Sequence, residues 1–217
     1  MRNVKPPEER KKEIVDTAKM LFYTKGYAKT KITDIIDEIG MSKGIFYYYF
    51  NSKEEVMDAI ISRVIDEDVV AAKAVASDSS LSVHEKVLGI LMAHREKIAE
   101  NDRRFINRLS DVENPEMMLK TKLQAISRVS PILGEAIEQG VREGVFIVEY
   151  PNETMEFLLS AYIFQHFNEE PETSRASEEA TPKDKAFINL MENALCAKKG
   201  SFDYLFKILL RRLDNVE

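Results

Sequence analysis

From Ile14 onward the apolar residues of this chain recur three and four positions apart and never settle into a sustained alternation, so the backbone they specify is helical. Ile14, Ala18, Leu21 and Phe22 predict a first helix over about residues 8 to 24, ended by Gly26. Ile32, Ile35, Ile36 and Ile39 repeat the pattern over a shorter span that Gly40 stops. Ser42 then stands where the cap of a third, very short helix belongs, with Phe46 and Phe50 on one face. Asn51-Ser52-Lys53-Glu54-Glu55 supplies another cap with acids in the first turn. Val56, Ile60, Ile61 and Val64 follow, so a long fourth helix is expected from Ser52 to roughly Ala76.

Beyond a polar break at Ser77 to Ser80 the helices lengthen. Val87, Leu88, Leu91, Met92 and Ile98 mark a fifth, ending near Asn101-Asp102, and Phe105, Ile106 and Leu109 a sixth. Asn114-Pro115 opens a seventh, since proline suits a first turn, and Met118, Leu119, Leu123, Ile126, Val129, Leu133, Ala136, Ile137 and Val141 carry it to about Gly144. Pro151 is read as a break, Glu153 to about Glu169 as an eighth helix, and Phe187, Leu190, Met191, Ala194 and Leu195 as a ninth. Ser201 is expected to cap a tenth. Residues 169–182, EEPETSRASEEATP, are too poor in apolar side chains to repay the cost of ordering and are expected to form a mobile loop. The fold class is therefore all-α with about nine or ten helices, and no convincing strand or internal repeat interrupts it.

Composition excludes several classes. With 217 residues, 44% of them hydrophobic, the chain can build a real core. No run approaches the roughly 20 uncharged apolar residues of a membrane span, and the opening MRNVKPPEERKKE is charged where a secretory signal would be apolar, so a cytoplasmic protein without membrane contact is expected. The single cysteine, Cys196, fits a reducing compartment and is read as a small core residue on a late helix. His84, His94 and His166 are scattered, and with one cysteine they offer no metal-ligand spacing and no nucleophile with its base. Neither an enzyme nor a metal or other cofactor is expected. Net charge is −6, yet residues 1–54 hold 11 Lys and Arg against 8 Asp and Glu, which is +3, leaving −9 for the remainder. The positive segment permits a nucleic-acid partner that the average would discourage.

The informative stretch is TKITDIIDEIGMSKGIFYYYFNSK, Thr30 to Lys53. Two short helices around Gly40-Met41-Ser42 form a helix-turn-helix, whose second helix fits a major groove about 12 Å wide. If Phe46 and Phe50 face inward, Lys43, Gly44, Ile45, Tyr48 and Tyr49 face outward, where a solvated helix would ordinarily carry Glu, Lys or Gln. At Gly26-Tyr27, Thr30, Asp34-Ile35, Gly40-Met41-Ser42, Lys43-Gly44, Tyr47, Tyr49-Phe50 and Lys53-Glu54 the segment resembles the TetR family of transcriptional regulators. GVREGVF, Gly140 to Phe146, is similar to a stretch near the end of that family's seventh helix. Ile36 and Glu38 stand where the family has small residues, and Ile45 where it has threonine or alanine, so base preference does not transfer.

Physics and resemblance together assign DNA contacts to Thr30, Thr33, Ser42, Lys43, Gly44, Ile45, Tyr47, Tyr48, Tyr49 and Lys53. Thr30 would hold a phosphate beside the free amides of the second helix, and Thr33 would meet backbone or a base edge. Lys43 would meet phosphate or guanine, Gly44 would let the helix approach the groove floor, and Ile45 would pack on a thymine methyl. Tyr48 would read a base or span to phosphate, Tyr47 and Tyr49 would donate to phosphates, and Lys53 would meet phosphate at the start of the fourth helix. Tyr47 is the ring expected to be most buried.

The resemblance implies two domains, a helix-turn-helix over 1–54 and a larger helical dimerisation and effector domain over 55–217. It also implies a homodimer through the eighth and ninth helices that binds a palindromic double-stranded operator, usually as a repressor, and is released by a small-molecule effector. Met92, Arg95, Phe105, Met118, Tyr162 and His166 are the candidate effector contacts, mixing adaptable apolar surface with polar handles. The rival reading is a helical interaction module that binds no DNA, in which residues 42–53 would carry no activity.

Overall fold

The computed structural model describes residues 6–96, 115–166 and 180–206. Every regular element among them is helical: α1 (Pro7–Lys25), α2 (Ile32–Ile39), α3 (Lys43–Tyr49), α4 (Lys53–Ser77), α5 (Val83–Glu96), α6 (Pro115–Arg142), α7 (Pro151–His166) and α8 (Pro182–Ala194), then a 3-10 turn at Asp203–Leu205. The all-α class stands, with fewer helices among the described residues than the nine or ten expected. The helix expected around Phe105 and most of the loop expected over 169–182 lie outside the described residues. Two compact units part on α4 at Asp66/Glu67 and on α6 at Thr121/Lys122.

The first unit is built on the helical stripes of its own sequence. Ile14, Ala18 and Phe22 from α1, Ile35 and Ile36 from α2, Phe46 and Phe50 around α3, and Val56, Met57, Ile60 and Ile61 from α4 are all buried. A fully buried side chain of this size contributes roughly 1.5–3 kcal/mol, so the stripes together carry far more than the short helices' own propensities. Arg63 on α4 reaches Asp16 on α1 at 2.6 Å, an exposed pair that adds little.

In the second unit the core runs through Val83, Val87 and Ile90 of α5, Leu133, Ala136 and Ile137 of α6, Met155, Leu158 and Leu159 of α7, and Ile188 and Met191 of α8. Ser82 and Glu85 cap α5 reciprocally, with the Ser82 amide donating to Glu85 Oε2 at 2.8 Å and the Glu85 amide to Ser82 Oγ at 3.3 Å. The buried Lys86 donates to the carbonyl of Ala76 at 2.7 Å, placing a cation at the carbonyl end of α4. α6 passes through Pro131 and closes at Gly144. There the Val145 amide bonds Gly140 O at 2.8 Å and the Gly144 amide bonds Val141 O at 3.1 Å, the Schellman pattern. That closure turns the buried Phe146 onto Gly140, where an added Cβ would lie 2.4 and 2.7 Å from ring carbons. Phe146 stacks on Phe202 at 5.6 Å, and His84 sets its ring edgewise to both.

Pro151 stands at the break expected after α6, and it also opens α7 two residues before Glu153, because the first helical amide needs no partner and proline has none to leave unpaired. The tenth helix expected after Ser201 falls on residues outside the described ones, which end with the 3-10 turn and Phe206. One expectation needs correction. Cys196 is exposed, not in the core. It sits at φ 47° as the residue that closes α8, with the Ala197 amide on Glu192 O at 2.8 Å, a position glycine would fill without strain.

Two measurements check this packing. Gly140→Ala is expected to lower stability by about 1–2 kcal/mol, because overpacking against the Phe146 ring exceeds the roughly 1 kcal/mol gained in helix propensity. The melting temperature should fall by several degrees, and an unchanged or raised value would contradict the close approach. Burial holds the pKa of His84 below its ordinary value of 6.5. A base whose folded pKa is depressed contributes stability that is present above the unfolded value and lost as pH falls below it. Denaturant melts should therefore show wild type weakening from neutral pH downward, with His84→Asn removing part of that slope.

Candidate nucleic-acid interface

A seven-residue helix is too short to persist alone, so α3 must be held by what it packs against. Gly40 makes the turn into it at φ 70°, a left-handed conformation, with the Met41 amide on Ile36 O at 3.1 Å and the Gly40 amide on Asp37 O at 3.2 Å. Ser42 then stands at the cap with extended backbone, its carbonyl accepting from the amides of Ile45 and Phe46, while its side chain makes no cap bond. Phe46 is fully buried and Phe50 nearly so, their ring centroids 6.3 Å apart, and Lys11 of α1 lies over the Phe50 ring at 5.8 Å. At the far end Ser52 Oγ accepts the Glu55 amide, and Glu55 returns to the Asn51 amide at 2.7 Å, starting α4.

With that face committed inward, the other is fixed outward. Ser42, Lys43, Gly44, Ile45, Tyr47 and Tyr48 are exposed, Tyr49 is half-buried, and Thr33 of α2 is exposed beside them. Tyr48 is the most open, 79% accessible, and its ring meets that of Tyr49 edge-on at 5.0 Å. The expectation that Tyr47 would be the most buried of these tyrosines is overturned: it is 42% exposed, with Lys43 one turn earlier over its ring at 5.7 Å, while Tyr49 is the half-buried one. Lys43 makes no salt bridge among the described residues. A Cβ on Gly44 would meet nothing within 4 Å, so packing does not require glycine there, and its effect is to leave open space in front of the helix.

Two of the expected contacts are turned inward. Thr30 is 1% exposed, and its hydroxyl donates to the carbonyls of Gly26 at 2.7 Å and Leu21 at 3.3 Å, which fastens the α1–α2 turn and leaves the hydroxyl facing the interior. Lys53 donates to the carbonyls of Tyr27 at 2.8 Å and Thr30 at 3.1 Å and lies over the Tyr27 ring at 4.1 Å. Tyr27 in turn donates to Glu54 at 3.1 Å, and burial followed by the neighbouring Glu54 charge raises the pKa of its hydroxyl. This knot ties the start of α4 to the turn before α2, and the sequence reading missed it because a lysine beside a recognition helix suggests phosphate before it suggests a carbonyl. Asp34 bonds the Lys31 amide at 2.8 Å and pairs with Lys25, whose hydrogen bond holds the carboxyl below its usual range.

The second unit contains an apolar cavity of about 50 Å3 lined by Leu91, Leu133, Met155, Leu158, Leu159, Tyr162, Phe187, Met191 and Leu205. Of the expected effector contacts, Tyr162 lines it, while Met92 packs half-buried against the surrounding core. Phe105 and the side chains of Arg95, Met118 and His166 lie outside the described residues. No group of three or more His, Cys, Asp and Glu placed to hold a metal occurs among the described residues, and no described helix is long and apolar enough to cross a membrane.

The family model of bacterial regulatory proteins of the tetR family matches residues 14–60, and that of the tetracyclin repressor-like C-terminal domain matches residues 97–181, together more than half of the chain. An HTH-type transcriptional regulator of Lactococcus lactis subsp. lactis is 49% identical over 51 residues, 24% of this chain and 26% of that protein, so the chain spans about a quarter of its length. The HTH-type transcriptional repressor KstR2 of Mycolicibacterium smegmatis is 26% identical over 147 residues, 64% of this chain and 69% of that protein. Among solved structures, a transcriptional regulator of the TetR/AcrR family from Thermobifida fusca superposes with a TM-score of 0.58 at 28% identity, covering 86% of this chain and 97% of its own. Matched over both its helix-turn-helix and its C-terminal region, the chain belongs to the TetR family.

Proposed function

We propose that the protein is a DNA-binding transcriptional regulator, acting as a repressor, whose homodimer grips a palindromic operator through residues 1–54. A small-molecule effector bound within residues 55–217 releases it. The observation that carries this reading is the outward face of α3, where Lys43, Ile45, Tyr47 and Tyr48 stand exposed on a helix whose other side is sealed by Phe46 and Phe50. In the groove, Gly44 admits the helix close to the base edges, Ile45 packs on a thymine methyl, Tyr48 reaches a base or phosphate, and Lys43 meets phosphate or guanine. Thr33, Ser42, Tyr47 and Tyr49 add hydroxyls toward the backbone. Thr30 and Lys53 serve from behind, by holding α2 and α4 in register. Base contacts are few, so DNA shape supplies much of the specificity. The repressor named KstR2 supports the sign of regulation, and a DNA operator as partner supports the reading of a cytoplasmic protein.

Two-fold pairing puts two such helices on one face of the duplex. The outer faces of α7 and α8 suit it, since Phe157 is 76% exposed and Leu190 52% on helices whose other sides are buried. Phe157→Glu with Leu190→Glu is expected to halve the mass seen by light scattering and to abolish operator binding while the helical content stays. A dimer that survives both changes would overturn the assignment of these helices.

Salt dependence separates the two lysines. Lys43→Ala should flatten the slope of log affinity against log salt by about 2 for a dimer, one phosphate lost per subunit. Lys53→Met should leave that slope unchanged and instead cost about 1–2 kcal/mol of stability, because it unties two carbonyls. A slope that falls equally in both variants would place Lys53 on the phosphate, and binding indifferent to Lys43 and to Tyr48→Ala would favour a scaffold that binds no DNA.

A further inference from the structure

The 3-10 turn at Asp203–Leu205 is fastened to the second unit by a few identifiable contacts. Phe202 and Leu205 are buried, and Phe202 stacks on Phe146 beyond the end of α6. From α8, Glu192 Oε1 accepts the amides of Gly200 at 2.7 Å and Phe202 at 3.4 Å. From α5, His84 completes the set. Its ring stands edgewise to Phe146 at 5.5 Å, Phe202 at 5.0 Å and Tyr204 at 5.6 Å, and its Nδ1 lies 3.2 Å from the Tyr204 hydroxyl. A contact spanning 120 residues of sequence thus holds the turn through a side chain that titrates near neutrality.

The position disfavours a positive ring. Three aromatic rings replace part of the water around His84, and burial holds its pKa below the ordinary 6.5. It is the second residue of α5, where the unpaired amides of a first turn carry partial positive charge. The charged groups of the neighbouring elements are turned elsewhere. Glu85 of α5 meets Ser82, Lys86 meets the carbonyl of Ala76, Glu143 meets Gln139, Glu192 meets the Gly200 amide, and Asp203 Oδ2 stands against Gly200. Tyr204 is the titratable group in contact with the ring, and burial raises its own pKa, so it stays neutral. A neutral imidazole can accept from Tyr204 at Nδ1, whereas a protonated one carries N–H at both nitrogens and the hydroxyl must turn round to accept.

We propose that His84 and Tyr204 form an acid-sensitive latch: protonation of His84 parts the two side chains and frees residues 200–206 from the end of the second unit, exposing Phe202 and Leu205. The closed turn favours the neutral ring, so closure is complete above the ordinary histidine value and weakens as pH falls below it. By linkage, the opening constant rises by up to about tenfold for each pH unit by which closure lowers the pKa. The opening is local and leaves α5 to α8 folded.

Hydrogen exchange of the full-length protein, corrected for intrinsic rates, at about one pH unit above and below the unperturbed histidine value tests the latch. The Gly200, Phe202 and Leu205 amides should lose protection by about tenfold at the lower pH, while those of Val87, Ile90 and Leu133 keep theirs. His84→Phe, which keeps a ring among rings and does not titrate, should hold the turn closed at both values. His84→Gln, which can still bond Tyr204, should likewise show protection independent of pH, and it gives the same reading if the phenylalanine does not pack. The His84 ring proton, identified among the three histidines by its loss in these variants, should titrate below 6.5. Unchanged protection in the wild type, or a ring that titrates above 6.5, overturns the latch. Loss of protection that persists in both variants assigns the opening to Glu192 or another carboxylate and overturns it too, as does a comparable loss throughout α5 to α8.

Discussion

The burial of Phe46 and Phe50 is the constraint on which the rest of the first unit depends. Seven residues cannot sustain a helix in water, and those of α3 persist because two aromatic rings on one side are removed from solvent, with Lys11 of α1 over one of them. Sealing that side fixes the rotation of the helix about its own axis. The outward set then follows with no further choice: Lys43, Gly44, Ile45, Tyr47 and Tyr48 face solvent because Phe46 and Phe50 do not. A recognition surface is thus specified by hydrophobic packing, and its polar chemistry is what remains on the uncommitted face.

Charge is distributed with the same economy. Lys53, which by position alone looks like a phosphate ligand, is held by backbone carbonyls, Lys25 is paired with Asp34, and Thr30 is sealed under the turn it fastens. On the outward face of α3, among the described residues, Lys43 stands without a salt bridge beside hydroxylated rings. In a chain of net charge −6, such a face would, under the proposed function, rely more on fit and hydroxyl contacts than on the pull of the phosphate backbone. The knot of Tyr27, Lys53 and Glu54 keeps the start of α4 tied to the turn before α2, so the unit presents α2 and α3 as one rigid piece.

Much of this was legible before any coordinates. Helical spacing located α1 to α4 nearly to the residue, because each stripe is an apolar series three and four positions apart, bounded by glycine or a cap. Phe46 and Phe50 were assigned inward correctly by their i, i+4 spacing. Other features were hidden for physical reasons. Lys53 has the same side chain whether it meets a phosphate or a carbonyl, and only the path of residues 26–30 decides between them. Cys196 is expected in the core and found exposed because a left-handed non-glycine residue leaves no trace in sequence. The cavity has no sequence signature for a related reason: Leu133, Leu158 and Met191 around a void have the same spacing as leucine and methionine in a filled core, and of the two expected effector contacts whose side chains are described, Tyr162 lines it and Met92 does not.

In the second unit, α7 and α8 combine an interior wall with an exposed apolar face. The account as a whole stands on one claim, that the outward face of α3 is shaped for duplex DNA and is presented twice. Selection of bound sequences from a random double-stranded pool tests it most directly. The account predicts enrichment of an inverted repeat whose half-sites are separated by about one helical turn or more. Recovery of unenriched sequence, or of a lone half-site without symmetry, would contradict it.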